Sequence, residues 1–201
     1  MFPLSTVVFP QSELPLHVFE PRFRALIDDS LAGDRPFGTV LISAGSEVGG
    51  GDRRCEVGTL LQIEMILPYP DGRSLMVTRG VERIRVVEWL DDDPYPRALV
   101  EAFSPGECPG PALVATAAGA VRRVRMLLSE LDDGPCSPIA VDLVGDPAVD
   151  AWMVCALAPL GGFDAQRVLE EPDATARLEL LIELCCARIT DLEALLSQPS
   201  E

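Results

Sequence analysis

The hydrophobic period changes once along the chain, at Ser104-Pro105-Gly106-Glu107-Cys108-Pro109-Gly110-Pro111. Ahead of this stretch, short runs of Val, Ile, Leu and Phe are separated by Gly, Pro and Asp clusters, which is strand and turn chemistry. Beyond it, apolar residues recur every three or four positions, the spacing of buried helix faces. The stretch itself has linker composition. The expected organisation is a strand-rich subdomain over 1–104 and a helical subdomain over 105–201, a size that suits one large domain or two small ones.

In the first half, Leu14 to Phe19 is an apolar run broken by Pro15, and Phe37 to Ile42 is a second. Between them a helix is expected from Pro21, because proline at the first helical position loses no needed hydrogen bond. Phe23, Leu26, Ile27 and Leu31 would form its apolar stripe, ending before Gly33, with Arg22, Arg24, Asp28 and Asp29 on the other face. Val57 to Leu67 and Ser74 to Thr78 read as a hairpin around Pro68-Tyr69-Pro70-Asp71-Gly72-Arg73. The alternation Arg83-Ile84-Arg85-Val86 shifts at Val87-Glu88-Trp89, which predicts a bulge. Pro96 to Phe103 supplies a further strand. About six strands and one helix suggest a small closed or partly open barrel, which removes exposed sheet edges.

In the second half, Leu113, Ala117, Ala120, Val124, Leu127 and Leu131 predict the buried stripe of a long helix ending near Asp132-Asp133-Gly134-Pro135. Pro147 to Leu157, with Trp152, and Phe163 to Glu170 read as shorter helices. The last and longest runs from about Asp173 to Ser197, with Leu178, Ile182, Cys185, Ile189, Leu192 and Leu196 suited to antiparallel packing.

Composition excludes several chemistries. The 16 basic residues are all arginine, against 32 acidic ones. A Walker A loop, Schiff-base catalysis and a serine-lysine dyad each need a lysine. A net charge of -16 repels phosphate backbones and anionic lipid, so neither nucleic acid nor membrane is an expected partner. The longest uncharged run, Cys108 to Val121, is interrupted by proline and glycine and is shorter than the ~18 residues of a spanning helix. The six cysteines form no C-x-x-C pair and His17 is the single histidine, so metal-site spacing is absent. Met1 to Pro10 lacks the basic start of a secretory signal. Reduced thiols and a cytoplasmic location are expected.

A resemblance emerges from the first residues. Phe2-Pro3-Leu4, Val8-Phe9-Pro10 and Leu14-Pro15-Leu16-His17-Val18-Phe19-Glu20-Pro21-Arg22-Phe23-Arg24-Ala25-Leu26 resemble the opening of the Lon protease N-terminal domain. Phe37 to Ile42, Val57-Gly58-Thr59-Leu60, Asp71-Gly72-Arg73, Thr78 to Ile84 and Tyr95-Pro96-Arg97-Ala98 follow in the family's order. Gln166 to Glu170 and Arg177-Leu178 resemble its helical segment. The likeness covers roughly Phe2 to Leu196 and is shared with a domain of the substrate receptor cereblon. It implies an α+β fold, a PUA-like β-barrel with one helix followed by an α-helical bundle. It also implies the substrate-recognition part of Lon without its ATPase and protease modules. The expected activity is therefore non-catalytic binding of unfolded or exposed hydrophobic polypeptide, with no cofactor, and with a separate protease or ATPase as a further partner.

Each candidate site has a plainer reading. His17 is the one available general base, and a hydrolase or small-molecule enzyme built on it with nearby carboxylates is the alternative function; a strand histidine satisfied by a backbone hydrogen bond is the expected role. No G-x-S-x-G elbow accompanies it. An RNA-binding role, which PUA-like folds also serve, is opposed by the charge. Gly49-Gly50-Gly51 resembles a phosphate cradle only superficially and reads as a loop. Glu20-Pro21-Arg22 reads as a helix start, and Arg122, Arg123 and Arg125 as solvated positions on a helix. Cys185 falls on an apolar stripe beside Cys186, and adjacent helical thiols bond only with strain. Tyr69, Trp89 and Tyr95, at strand ends and loops, are the candidate peptide-binding rim, with barrel-mouth packing as the alternative.

Overall fold

The alternating runs of the first half form strands β1 (Phe2–Leu4), β2 (Glu13–Val18), β3 (Phe37–Ala44), β4 (Arg53–Pro68), β5 (Ser74–Leu90) and β6 (Arg97–Ala102). Helix α1 (Pro21–Gly33) lies between β2 and β3 in sequence, and α2 (Pro111–Leu131), α3 (Pro147–Leu157), α4 (Gly162–Glu170) and α5 (Ala174–Leu196) make up the second half. The structure, a computed structural model, describes residues 1–33, 36–45, 51–104, 106–131 and 141–197. Its contacts separate two units, Met1–Ser104 and Pro105–Glu201. The architecture is α+β.

In the first unit the six strands form one sheet in the order β1-β3-β4-β5-β2, with β6 also on β5. β1 runs parallel to β3 and every other pair is antiparallel. The 17-residue β5 replaces the two short runs seen in the sequence and organises the sheet. β4 lines one of its edges; β2, on Ser74 to Arg79, and β6, on Ile84 to Leu90, share the other in tandem. Between them the loop after β1 crosses so closely that a Cβ on Gly80 would lie 2.3 Å from the Phe9 carbonyl oxygen. Only glycine fits there. The ladders shift register at Val40/Ile42, Ile63/Met65 and Val86/Glu88, the last being the expected bulge. Such shifts bend and twist strands and curl the sheet. The path of strands stays open at β1, where the Met1 amino group donates to the Pro96 carbonyl just ahead of β6 at 2.7 Å.

Three buried threonines tie the N-terminal segment to the sheet. Thr39 Oγ1 donates to the Phe2 carbonyl at 2.8 Å, Thr59 Oγ1 to the Val8 carbonyl, and Thr78 Oγ1 to the Leu14 carbonyl at 3.0 Å. The core beneath gathers Phe2, Leu16, Phe23, Leu26, Leu61 and Met76, with Phe2 stacked on Phe23 at 4.1 Å. Helix α1 buries Phe23, Leu26, Ile27 and Ser30, whereas Leu31 is exposed. The expected stripe included Leu31. At about 100° per residue, Ser30 falls near the middle of the arc set by the other three and Leu31 beyond its edge, so geometry prevails over hydropathy.

In the second unit α5 packs against α2, α3 and α4. Asp146 caps α3 ahead of Pro147, accepting from the Ala148 amide at 2.9 Å, and Asp173 caps α5, accepting from the Ala176 amide at 2.8 Å. The buried Asp150 carboxylate holds the approach to α3 by accepting from the amides of Val144 at 2.8 Å and Gly145 at 3.0 Å. Helix α2 departs from the expected stripe. It buries Val114, Ala117, Ala118, Val121, Val124 and Leu127, while Leu113 and Ala120 are half-buried and Leu131 is exposed. These buried residues cover about half the circumference, because α3 as well as α5 packs on this helix. The residues after Leu131, with the expected stop at Asp132 to Pro135, lie outside those described.

Thr59→Val keeps the shape of a side chain with no solvent exposure and removes the donor to Val8. An orphaned buried carbonyl costs about 1–3 kcal/mol, so urea unfolding is expected to show that loss with an unchanged m-value.

Candidate functional site

The β4–β5 hairpin and β2 form a three-stranded surface whose two faces follow from strand alternation. Ile66, Met76 and Leu16 stand in one cross-strand row and point into the core. The next rows on either side, Leu67-Leu75-His17 and Met65-Val77-Pro15, occupy the opposite face. Met65 is 49% exposed and Leu67 48%, with Leu75 and Val77 half-buried between strands. Neighbouring apolar side chains in water are unfavourable in isolation, and a contiguous patch with a polar rim marks an interaction surface.

The rim is built from local hydrogen bonds. At the hairpin tip the Tyr69 amide donates to the Arg73 carbonyl at 2.7 Å and the Gly72 amide to the Tyr69 carbonyl at 3.0 Å. Gly72 adopts φ +82°, and Asp71 accepts from the Arg73 amide at 3.0 Å and Nε at 2.8 Å. This turn places Tyr69 beside Phe19, His17 and Arg73 around a shallow pocket of about 390 Å³. A second pocket of about 210 Å³ shares His17 and Phe19 and reaches Pro15 and Glu20. At the far end, Arg79 Nε donates to the Glu64 carboxylate, which, together with the Glu13 carboxylate 2.9 Å away, raises the pKa of the Arg79 guanidinium above its usual value. The patch is therefore apolar in the middle and charged at both ends.

Of the three aromatic residues expected to form a rim, Tyr69 lies at this surface. Trp89 is at the other end of β5, packed on the small cluster of Met1, Val40, Ile84 and Val86, with the Arg54 guanidinium 4.8 Å over its ring. Arg54 is itself held by Asp52 at 2.7 Å and Asp92 at 3.1 Å. Tyr95 packs on the main core and donates its hydroxyl to Asp29 at 2.6 Å, which raises the phenol's pKa. The structure does not bring the three together.

His17 departs from its expected role, because its ring is exposed on the outward face of β2 instead of being satisfied by backbone. Its neighbours explain why: Leu16 and Val18 claim the core positions, and alternation turns residue 17 out. Among the described residues no serine or carboxylate is hydrogen-bonded to it. Glu20, which shares the smaller pocket, is engaged by Arg22 Nε at 3.1 Å. On α2, Arg123 reaches Glu193 at 2.6 Å and Arg125 donates to the Leu157 carbonyl at 3.1 Å, so two of these arginines join helices to one another. Among the described residues no group of His, Cys, Asp and Glu is placed to hold a metal ion, and no helix is long and apolar enough to cross a membrane. Gly49 and Gly50 lie outside the described residues.

Met65, Leu67 and Val77 were not among the expected site residues. Their signal is nevertheless in the sequence: Met65-Ile66-Leu67 and Leu75-Met76-Val77 are consecutive apolar triplets on paired strands. A half-buried strand needs apolar residues on one face only, so a triplet makes both faces apolar.

Comparison with known proteins places this fold. Residues 1–187 match the family model described as the ATP-dependent protease La (LON) substrate-binding domain, and the chain belongs to that family. A Lon N-terminal domain protein from Xanthomonas campestris superposes with a TM-score of 0.64 at 27% identity, covering 90% of this chain and 95% of that one. The N-terminal domain of the Mycobacterium avium complex Lon protease shares the fold with a TM-score of 0.62 at 20% identity, covering 92% of this chain and 96% of that one. Lon protease 2 of Herpetosiphon aurantiacus is 26% identical over 196 residues, 94% of this chain and 24% of that protein. Lon protease of Syntrophus aciditrophicus is 34% identical over 100 residues, 48% of this chain and 13% of that protein. The chain thus spans a quarter or less of the length of these curated relatives.

The adjacent thiols of α5 separate cleanly. Cys185 is buried, and burial, with a smaller contribution from Cys186, pushes its pKa up to about 11; Cys186 is exposed. At pH 8 only about one in a thousand Cys185 side chains is thiolate, the reactive form. Iodoacetamide on the native protein at that pH is expected to label Cys108 and Cys186 and to spare Cys155 and Cys185, as read by peptide mass spectrometry.

Proposed function

We propose that this protein binds polypeptide segments that expose apolar side chains, without chemically altering them, on the outward face of β2, β4 and β5. The observation that carries this reading is the pair of rows holding Met65 and Leu67, about half exposed each, in a domain whose family is described by substrate binding. Burying such side chains yields about 25 cal/mol per Å² of apolar surface. Tyr69 and Phe19 supply ring surface at one end, and the Arg79 and Arg73 ion pairs fix the ends of the strip. No feature of the strip selects a particular side chain, which suits recognition of many unfolded clients. The net charge of -16 favours clients with basic residues flanking the apolar segment and disfavours nucleic acid. In this proposal the chain works in the cytoplasm and passes clients to a separate ATP-dependent protease.

The test is fluorescence anisotropy of a labelled, permanently unfolded protein, with the same protein folded and a labelled RNA as controls. Saturable binding to the unfolded form alone is expected. Leu67→Glu places a charge in the strip and should weaken binding about tenfold or more, a change of about 1.4 kcal/mol. Leu31→Glu, on the exposed side of α1, should leave affinity within about twofold, since exposed substitutions away from a site change little. Equal effects of the two variants, or no saturable binding, would remove this assignment.

A further inference from the structure

We propose that β6 is a self-pairing edge, through which two copies of this chain join their sheets in an antiparallel, two-fold dimer. The proposal is independent of polypeptide binding. It starts from the edge itself. β6 pairs with β5 and with no other strand among the described residues. The Phe103 amide donates to the Arg83 carbonyl at 3.0 Å, so by alternation the backbone groups of Glu101, Leu99 and Arg97 also point toward β5. Those of Ala102, Val100, Ala98 and Pro96 point away. The Pro96 carbonyl confirms this phase, because it accepts from Met1 on that outer side. An unpaired row of this kind is a ready template for another strand.

The sequence of the edge makes a second β6 the fitting partner. Arg97-Ala98-Leu99-Val100-Glu101 carries opposite charges at equal distances on either side of Leu99. In antiparallel pairing centred there, Leu99 faces its own copy, Arg97 faces Glu101 and Glu101 faces Arg97. Ala98 and Val100 then meet as the hydrogen-bonded pairs, twice over, and both have outward-pointing amides and carbonyls. A register shifted by one residue would lose this match. Leu99 is 52% exposed and Val100, opposite Val86 on β5, is 41% exposed, so each keeps apolar surface open to a partner. Arg97 uses Nε on the Asp91 carbonyl at 3.1 Å, which leaves its terminal nitrogens for a partner, and Glu101 has no ion-pair or hydrogen-bond partner among the described residues. Beyond this core the ladder stops, since Pro96 has no amide hydrogen and its carbonyl is occupied. Pairing of one surface with itself closes at two copies.

Sedimentation velocity of the full chain over about 1–200 µM reads the monomer–dimer equilibrium by mass action. A concentration-dependent dimer is expected. Arg97→Glu and Glu101→Arg each place like charges opposite one another and should weaken it about tenfold or more, while the double swap restores opposite charges and should recover most of the affinity. Val100→Pro deletes an amide that points away from β5 and should abolish the dimer while leaving circular dichroism and thermal unfolding of the monomer intact. A monomer at every concentration overturns the proposal, as does a dimer indifferent to the charge swaps. Protection of β6 amides from hydrogen exchange only when unfolded polypeptide is added would give the edge to a client and overturn it as well.

Discussion

The first unit depends on three buried hydroxyl groups. Thr39, Thr59 and Thr78 sit on three successive strands of the sheet, β3, β4 and β5, and each donates a hydrogen bond to a carbonyl of the chain between Phe2 and Leu14. Besides these bonds that segment is held by the short parallel ladder of β1 on β3, by two backbone bonds to Gly80 and, at its end, by the six-residue ladder of β2 on β5. The carbonyls of Phe2, Val8 and Leu14 would lose these donors if the threonines were valines, and an unpaired buried carbonyl costs more than a hydrogen bond returns. Threonine is suited to this role because its branched Cβ fits a pleated sheet while its hydroxyl reaches a neighbouring backbone. Through these bonds Phe2 is brought onto Phe23 and the core is closed over α1.

The same anchoring determines where the outer surface lies. Once Leu14 is fixed to Thr78, the register of β2 on β5 follows, and a slip of one residue would exchange Leu16 and Val18 for His17. The apolar strip and the exposed histidine are therefore two consequences of one register. β5 extends this logic along its length. Its first half carries the strip, Gly80 admits the crossing loop, and its last residues carry β6 past a bulge. A strand with two successive partners on one edge leaves the second of them, β6, at the border of the sheet, which is why the unpaired backbone row belongs to Arg97 to Ala102.

Much of this was legible in the sequence. The change of period at Ser104 to Pro111 separates strands from helices, and proline and aspartate place the starts of α1 and α3. The bulge near Val87 follows from a lapse in alternation alone. What remained hidden depends on partners that a linear pattern does not contain. Leu31 and Ser30 exchange roles because the arc of α1 is set by where Phe23 and Ile27 meet the sheet. The breadth of the buried face on α2, which includes Ala118, reflects a second neighbour, α3. The apolar strip is hidden in the sequence for a different reason. The aromatic rings of Trp89 and Tyr95 serve packing and a bond to Asp29, whereas the strip consists of two ordinary apolar triplets on paired strands.

The choice of arginine over lysine throughout is consistent with how the cations are used. Arg83 and Arg177 are among the most buried side chains, each 2% exposed. Arg83 lies 4.2 Å over Phe103 and donates to the Ser104 carbonyl; Arg177 lies 4.0 Å over Trp152 and donates to the carbonyls of Glu171 and Pro172. Burial pulls the Arg177 pKa down, yet a guanidinium starts so high that it keeps its charge. An ammonium group in either place would be a compact, strongly hydrated charge without a flat face to stack or a fork to span two carbonyls, and burial would drive off its proton. The planar cation fastens a loop to an aromatic ring in each unit, at Ser104 in the first and at Glu171 and Pro172 in the second. In a chain this acidic, those internal arginines are spent on structure, and the outer surface is left with the negative charge that would discriminate among its partners.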